Sequence, residues 1–255
     1  MLRHAFLGAL LCVVPVTAHA HGTTYRDANE ATRHAPCLKL GADESLGPSY
    51  AKFEAFFTAL YEHAGLCTTS IAMAPKRIEQ LLVRGELDGD WFRPSDYATQ
   101  FSDRLTALPQ PVFGLEAHLI WLKRNSFSGK PEDLKGLTVG HQAGFRWLET
   151  HLPQMGARTM AVPSTTHTWN MLDRGRIDVF ATSGVHKAAL TAAWQDKTNN
   201  MNSALWTTVS FYHLLHPKHK DKVEQLNSAL REMIITHHSA ADLQIPGIQP
   251  AKLAD

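Results

Sequence analysis

Leu82-Val83-Arg84-Gly85-Glu86-Leu87-Asp88 and Leu172-Asp173-Arg174-Gly175-Arg176-Ile177-Asp178 are two copies of one pattern, Leu-x-Arg-Gly-x-(Leu/Ile)-Asp, 90 residues apart. Each copy follows an amphipathic stretch and precedes an apolar or strand-like one. A glycine at this place is typical of a helix end, because glycine enters the left-handed region at little cost. Each copy therefore predicts the same joint, helix into strand, in two separate α/β units. A small ligand is expected between two such units, since clefts at domain interfaces are common binding sites.

The charged residues of this repeated pattern are expected to be structural. Arg84 and Arg174 lie at predicted helix ends, where a cation interacts favourably with the helix dipole. Asp88 and Asp178 are expected to accept hydrogen bonds at the start of their strands. The pattern thus locates two strands whose far ends face the predicted cleft, and it is not itself the predicted site.

Strand and helix patterns alternate around both copies. Residues 37–92 predict the order β-α-β-α-β, and the alternation returns in residues 137–181. Residues 220–236 predict the last clear helix. Such alternation indicates an α/β fold with parallel strands. Extended crossings near residues 109–116 and 205–212 are expected to join the two units.

The first 20 residues are predicted to be a cleaved secretory signal peptide. Residues 1–4 are a short basic start, and residues 5–16 are apolar but too short to span a bilayer. Residues 18–20, Ala-His-Ala, form a small-x-small cleavage site. A retained membrane anchor is the alternative. Since no other stretch is long and apolar enough to cross a membrane, the mature chain is expected in the periplasm, without membrane insertion.

Length and charge limit the classes of function. About 235 residues would remain after cleavage, which fits one large domain or two small lobes. The net charge is +1, with acids and bases mixed along the chain. With this balance of charges, the sequence shows no basic patch of the kind that binds nucleic acid.

Cys37 and Cys67 are the two cysteines that would remain after export. Each stands just before a strand-like run, and a helix pattern lies between the runs. If the strands are neighbours, a disulfide at their starts has feasible geometry in an oxidising compartment. Such a bridge would stabilise the fold by about 3–4 kcal/mol in the chain-entropy model. Two free, buried thiols are the alternative.

Further motifs lie around the repeated pattern. They are Met73-Ala74-Pro75-Lys76-Arg77, Asp133-Leu134-Lys135-Gly136-Leu137-Thr138-Val139-Gly140 and Gly144-Phe145. Together with the two Arg-Gly-x-x-Asp joints, they make the chain resemble bacterial periplasmic solute-binding proteins of family 3 over about residues 37–237. The resemblance implies the type II two-lobe fold, in which each lobe is a mainly parallel sheet flanked by helices. It implies a discontinuous first lobe, residues 37–113 and 211–250, and a second lobe, residues 114–210.

The chain departs from the amino-acid-binding members of that family at two places. Those members carry Thr-x-x-Arg after the third strand, where this chain has Trp91-Phe92-Arg93-Pro94. They also carry an aspartate after the second joint, where this chain has Phe180-Ala181-Thr182-Ser183. The resemblance therefore implies a solute-binding fold but does not specify an amino acid as the ligand.

The ligand site is predicted at the carboxyl ends of the strands, where open parallel sheets bind ligands. Arg77 and Arg93 are expected to hold an anion, and backbone N–H groups at the start of a helix near Gly144 are a second anion-binding feature. For Trp91, a place in the core is an equal alternative to stacking on the ligand, and Arg77 has a local cap or ion pair as its alternative. The predicted ligand-binding residues are Asp43, Glu44, Tyr50, Arg77, Trp91, Arg93, Gln142, Gly144, Phe145, Thr182 and Ser183.

The predicted function is that of a monomeric solute-binding protein, not an enzyme, with no cofactor or metal. It would capture a small anionic or zwitterionic molecule between hinged lobes, for an ABC importer or a sensor. The enzyme alternative is a cyclic-acid dehydratase on the same fold, with Glu44 as general acid. A minor alternative is copper binding by His21 at the mature N-terminus. Of the 15 histidines, His213, His216 and His219 are expected to be solvated rather than metal-bound.

Overall fold

The computed structural model describes residues 36–142, 145–162 and 165–253. The predicted signal peptide, the predicted copper ligand His21 and the predicted site residue Gly144 lie outside the described residues. In the part of the chain that is described, no helix is long and apolar enough to cross a membrane.

The secondary structure alternates between strands and helices, with short 3-10 helices in several connections. The strands of the described residues are β1 (Leu38–Asp43), β2 (Thr68–Met73), β3 (Gly89–Pro94), β4 (Thr106–Ala107), β5 (Phe113–Leu122), β6 (Thr138–Gln142), β7 (Arg158–Val162), β8 (Val179–Ser183), β9 (Met201–Leu215) and β10 (Ile248–Gln249). The α-helices are α1 (Tyr50–His63), α2 (Pro75–Val83), α3 (Ser95–Gln100), α4 (Arg146–Gln154), α5 (Thr165–Asp173), α6 (Gly184–Ala193) and α7 (Val223–Ile235).

The strands form one sheet in the order β2-β1-β3-β9-β5-β8-β6-β7. On one side β1 pairs in parallel with β2 and β3, and on the other β6 pairs in parallel with β7 and β8. We call these groups, with their helices, the first and second lobes. The long antiparallel pair β5 and β9 joins them. The α/β fold with mainly parallel lobes is confirmed, while the exact limits of the lobes stay a prediction.

The two copies of Leu-x-Arg-Gly-x-(Leu/Ile)-Asp form equivalent joints in the two lobes. Gly85 and Gly175 follow the ends of α2 and α5 with φ of +74° and +64°, the left-handed conformation expected of a glycine that ends a helix. The predicted helix ends are therefore confirmed in both lobes.

The aspartates of the two joints also have equivalent partners. An Asp88 carboxylate oxygen accepts a hydrogen bond from the backbone N–H of Lys39 at 2.8 Å, at the start of β1. An Asp178 oxygen accepts one from the backbone N–H of Thr138 at 2.8 Å, at the start of β6. Each aspartate thus ties its own strand to the neighbouring strand, which confirms the structural role predicted for both.

The Cys37–Cys67 disulfide is present, with Cα atoms 4.5 Å apart. It lies immediately before Leu38 and Thr68, which are partners in the parallel pair β1–β2. The prediction from the positions of the two cysteines is confirmed, because the two strands are neighbours as the argument required.

His213, on β9, corrects the prediction of solvated histidines, because its side chain is fully buried. Its Nδ1 lies 3.2 Å from the backbone oxygen of Trp91, which only accepts, so Nδ1 carries the proton. Nε2 therefore accepts the hydrogen bond from the Tyr61 hydroxyl at 2.8 Å. Burial lowers the pKa of His213 to about 4, and the ring is neutral at pH 7.

The segment after α7 returns to the strands that connect the lobes. β10 pairs antiparallel with β5, and the backbone N–H of Glu116 donates to the oxygen of Gly247 at 2.9 Å. Gly247 packs against Gly184, the first residue of α6, so closely that a Cβ on Gly247 would lie 2.4 Å from the Gly184 Cα. This contact links the C-terminal segment to the second lobe through backbone atoms.

Candidate functional site

Charged and aromatic side chains from both lobes meet where α2, α3 and α4 begin, near the carboxyl ends of β2, β3 and β6. This is the edge at which open α/β sheets bind ligands. We call this group the arginine–tyrosine cluster, and its members are Glu79, Asp90, Arg93, Tyr97 and Arg146.

Arg93 is held in the first lobe by two partners. Its Nε donates to an Asp90 carboxylate oxygen at 2.5 Å, and its Nη2 donates to the backbone oxygen of Pro75 at 3.0 Å. A register shift in the β3–β9 pairing between Asp90 and Arg93 brings the two side chains together. The Arg93 guanidinium also lies over the Tyr97 ring, 5.2 Å from its centre, a cation–π distance.

Burial and charge act in opposite directions on this pair. Burial raises the pKa of Asp90, and the Arg93 guanidinium opposes that rise. Burial alone would lower the pKa of Arg93, but the Asp90 carboxylate holds it above its ordinary value, with a further contribution from Asp43. Arg93 thus remains a cation whose charge is largely balanced within the protein.

Arg146 reaches the same tyrosine from the second lobe. It is the first residue of α4, and its guanidinium lies 5.4 Å from the centre of the Tyr97 ring. Its Nη2 is 3.1 Å from a carboxylate oxygen of Glu79, in α2 of the first lobe. The Arg146 side chain is 44% exposed, so solvent and a ligand can reach it. This ion pair connects the two lobes across the predicted cleft.

Tyr97 lies between the two guanidinium groups and is buried. Its hydroxyl has no hydrogen-bond partner among the described residues. Burial raises its pKa, the charges of Glu79 and Asp90 add to the rise, and the two arginines oppose it. A buried hydroxyl without a partner is uncommon because it costs about 1–3 kcal/mol. The hydroxyl is therefore well suited to bond with a polar atom of a ligand.

The structure does not form the predicted anion clamp of Arg77 and Arg93 as two free guanidinium groups. Arg93 is engaged by Asp90 and Pro75. Arg77, in the first turn of α2, is exposed, and its side chain makes no hydrogen bond or ion pair with any residue that the structure describes. Arg77 is thus available to an anion, whereas Arg93 mainly positions Tyr97.

The remaining first-lobe predictions have different outcomes in the structure. Trp91 is 1% exposed, stacks on Phe57 at 5.4 Å and donates from Nε1 to the Ser70 hydroxyl at 3.1 Å. It is a core residue, which is the alternative that the sequence left open beside stacking on the ligand. Half-buried Tyr50 packs against it, 4.9 Å between ring centres.

The two predicted acids lie where β1 ends: Asp43 is its last residue, and Glu44 begins a short 3-10 helix. Asp43 is half-buried and accepts from the backbone N–H of Ser45 at 2.8 Å. It is close enough to the arginine–tyrosine cluster to raise the pKa of both Asp90 and Arg93. Glu44 is exposed. Of these two predicted ligand-binding acids, Asp43 is the one with electrostatic contact to the cluster.

The site residues predicted in the second lobe also have different roles in the structure. Thr182 is fully buried, and its hydroxyl has no partner within the described ranges. The Ser183 hydroxyl accepts from the backbone N–H of His186 at 3.2 Å and so caps α6. Phe145, half-buried, directly precedes α4, and the backbone of Gln142 ends β6. Ser183 therefore supports a helix start, while the Thr182 hydroxyl, like that of Tyr97, is buried without a described partner.

Glu79, Tyr97 and Arg146 were not predicted as site residues. Arg146 follows the predicted turn at Gly144-Phe145 directly, and this position was the available clue. In the described parts of the chain, no three His, Cys, Asp or Glu side chains are grouped closely enough to hold a metal ion.

Comparison with solved structures identifies the fold. A histidine kinase sensor domain with similarity to periplasmic binding proteins matches with a TM-score of 0.66 and 13% identity, over 85% of this chain and 99% of that chain. The GluR0 ligand-binding core in complex with L-glutamate matches with a TM-score of 0.65 and 13% identity, over 82% and 97% of the two chains. An ancestral arginine-binding protein bound to arginine matches with a TM-score of 0.58 and 19% identity, over 80% and 95%.

No protein-family model and no curated protein matches the sequence. The structural similarity, at identities below 20%, establishes the fold. The chain has the periplasmic-binding-protein-like two-lobe fold that its resemblance to the family 3 solute-binding proteins implied.

Proposed function

We propose that this protein is an extracytoplasmic solute-binding protein that captures a small anionic or zwitterionic molecule between its two lobes. The observation that carries the proposal is the arginine–tyrosine cluster. Arg146 of the second lobe and Glu79 and Tyr97 of the first lobe meet at the carboxyl ends of the strands. A ligand bound there contacts both lobes and stabilises the closed arrangement.

The groups of the site match an anion with a nearby polar or cationic group. Arg146 is accessible and offers a planar, bidentate donor to a carboxylate or phosphate. The Tyr97 hydroxyl adds a hydrogen bond in a site where it has no described protein partner. Arg77 is a second available cation, and Asp43 offers a carboxylate to an amine. We propose Arg77, Tyr97, Arg146 and Asp43 as the ligand contacts.

Binding explains these groups better than catalysis does. The dehydratase alternative requires a general acid beside the substrate, and its candidate, Glu44, is exposed. The similar solved structures include a sensor domain, an arginine-binding protein and an L-glutamate complex. We therefore propose delivery of the bound molecule to an ABC importer, or its detection with a sensor partner, by a monomeric protein in the periplasm.

A thermal-shift panel tests the proposal with the purified mature chain. Amino acids, organic acids, phosphate esters and prephenate-like cyclic acids are compared. A ligand at 100 times its Kd stabilises the folded state by about 2.7 kcal/mol. For a chain of this size we expect the Tm to rise by about 5–10 °C. Chromatography of the incubated ligand checks for turnover, and turnover would support the dehydratase alternative.

Arg146→Gln removes the proposed anion contact and should abolish most of the shift. Arg124→Gln is the matched control, because Arg124 forms an exposed ion pair of the same length, 3.1 Å, with Asp173. If no compound of the panel raises the Tm of the unmodified protein, or if both variants respond equally, the proposed site is wrong.

A further inference from the structure

We infer that Glu79 is a specificity-determining residue of the proposed site. Its carboxylate holds the position on Arg146 that we propose for the anionic group of a ligand, so simple monoanions bind there more weakly. The inference rests on the proposed function and deepens it, because it states which anions the site rejects. It concerns the Glu79–Arg146 ion pair, which joins residues 67 positions apart in the sequence.

The position of the pair supports this role. Arg146 begins α4 just beyond the carboxyl end of β6, and Glu79 lies in α2, which begins just beyond the carboxyl end of β2. Both side chains therefore project from the edge where a ligand is expected. The guanidinium of Arg146 lies beside a buried tyrosine whose hydroxyl lacks a partner among the described residues. The tyrosine beside Arg146 thus brings a hydrogen-bond donor without a described partner into the neighbourhood of this cation.

Charge balance makes Glu79 the counter-ion of Arg146. The ionisable groups around Tyr97 are Glu79, Asp90, Arg93 and Arg146. Asp90 and Arg93 neutralise each other at 2.5 Å. Without the Glu79 carboxylate, Arg146 would be left as an unbalanced cation at the cluster. A small anion from solution would then be attracted to it.

Competition with a tethered group explains the selectivity. A carboxylate attached to the same protein acts at an effective concentration in the mM range or above. A monoanion makes only the contact that Glu79 already makes, so below that concentration it loses the competition. A ligand that also bonds to the Tyr97 hydroxyl or to Arg77 gains contacts that Glu79 lacks, and it displaces Glu79. A partly exposed ion pair is worth little, so its displacement costs a proper ligand little.

A second reading of the same pair predicts the opposite effect. If the ion pair acted mainly as a latch between the lobes, its removal would open the cleft and weaken anion binding. The sign of the change in affinity therefore decides between selectivity and latching.

Acetate is the probe, because it is a monoanion with no second binding group. Its affinity is measured by NMR from the Nε–H signals of the arginine side chains in ¹⁵N-labelled protein. We expect Glu79→Gln to tighten acetate binding at Arg146 by about two- to fivefold, the value of a partly exposed ion pair. Glu79→Asp, which keeps the charge, should bind acetate as weakly as the unmodified protein. Adding Arg146→Gln to Glu79→Gln should remove the response.

Asp173→Asn is the matched control, because it removes the acid of the exposed Arg124–Asp173 pair of equal length. It should leave the acetate response of Arg146 unchanged. If the Glu79→Gln variant binds acetate no more tightly than the unmodified protein does, the inference is overturned. That failure is distinct from failure of the proposed function, which would show as the absence of a panel ligand whose binding depends on Arg146.

Discussion

Removal of the buried Tyr61–His213 pair should change how stability depends on pH. His213 has a folded-state pKa of about 4, below the 6.5 of an unperturbed histidine. Between these values the unfolded chain binds a proton that the folded protein does not bind. The contribution of His213 is therefore fully present above pH 6.5 and is lost as the pH falls from 6.5 towards 4.

The magnitude follows from the difference between the two pKa values. At about 1.4 kcal/mol per pH unit, the free energy of unfolding should fall by about 2 kcal/mol from this group between pH 7 and pH 5, and by about 3 kcal/mol by pH 4. The double substitution Tyr61→Phe/His213→Phe removes the titrating ring together with the hydroxyl that bonds to it, so that hydroxyl is not left unpaired, although the Trp91 backbone oxygen loses its donor at every pH. In the double variant, this part of the pH dependence should disappear.

Urea unfolding at pH 7, 6, 5 and 4.5, followed by circular dichroism, measures the effect. His63→Gln is the control, because His63 is an exposed histidine of the same lobe whose ion pair with Glu232 contributes little. The reasoning is refuted if the double variant and the unmodified protein lose equal stability between pH 7 and pH 5.

Two further predictions concern the framework. Gly247→Ala should lower the free energy of unfolding in urea by about 1–3 kcal/mol, because the new Cβ would lie 2.4 Å from the Gly184 Cα. Gly136→Ala is the control for the effect of positive φ alone, because a Cβ at Gly136 would have no neighbour within 4 Å. A larger loss of stability in Gly136→Ala than in Gly247→Ala would contradict the packing argument. Cys37→Ser/Cys67→Ser should lower the stability by about 3–4 kcal/mol, and a reducing agent should then have no further effect in the same assay. Unchanged stability of the serine variant would show that the bridge does not constrain the unfolded chain.

The elements of the sheet were predictable from the sequence because their signals are local and periodic. The two glycines that end α2 and α5 and the aspartates that follow them mark equivalent joints within a few residues. The six-residue α3 is too short to show a helical period. In α6, four of the ten residues are alanine and Leu190 is the large apolar residue that is buried, so the helical pattern is weak. Neither helix was predicted.

The site was less predictable because its contacts are made between distant residues. Glu79 and Arg146 meet only after the two lobes fold, and no local pattern links them. Asp90 and Arg93 would point to opposite faces of a regular strand, and the irregular pairing of β3 with β9 brings them together. Tyr97 lies in the short helix α3 that the pattern did not reveal. The sequence indicated the edge of the sheet at which we propose the site, but not Asp90, the partner that neutralises Arg93.

The pairing of β5 with β9 has a consequence for protein engineering. Phe113, the first residue of β5, is directly opposite Phe211 of β9, and the predicted second lobe, residues 114–210, lies between them in the chain. Opposite residues of an antiparallel pair have Cα atoms about 5 Å apart, a gap that a two-residue hairpin turn closes. The predicted second lobe is thus an insertion with adjacent ends, and we expect that it can be exchanged between proteins of this architecture without rerouting the chain of the first lobe.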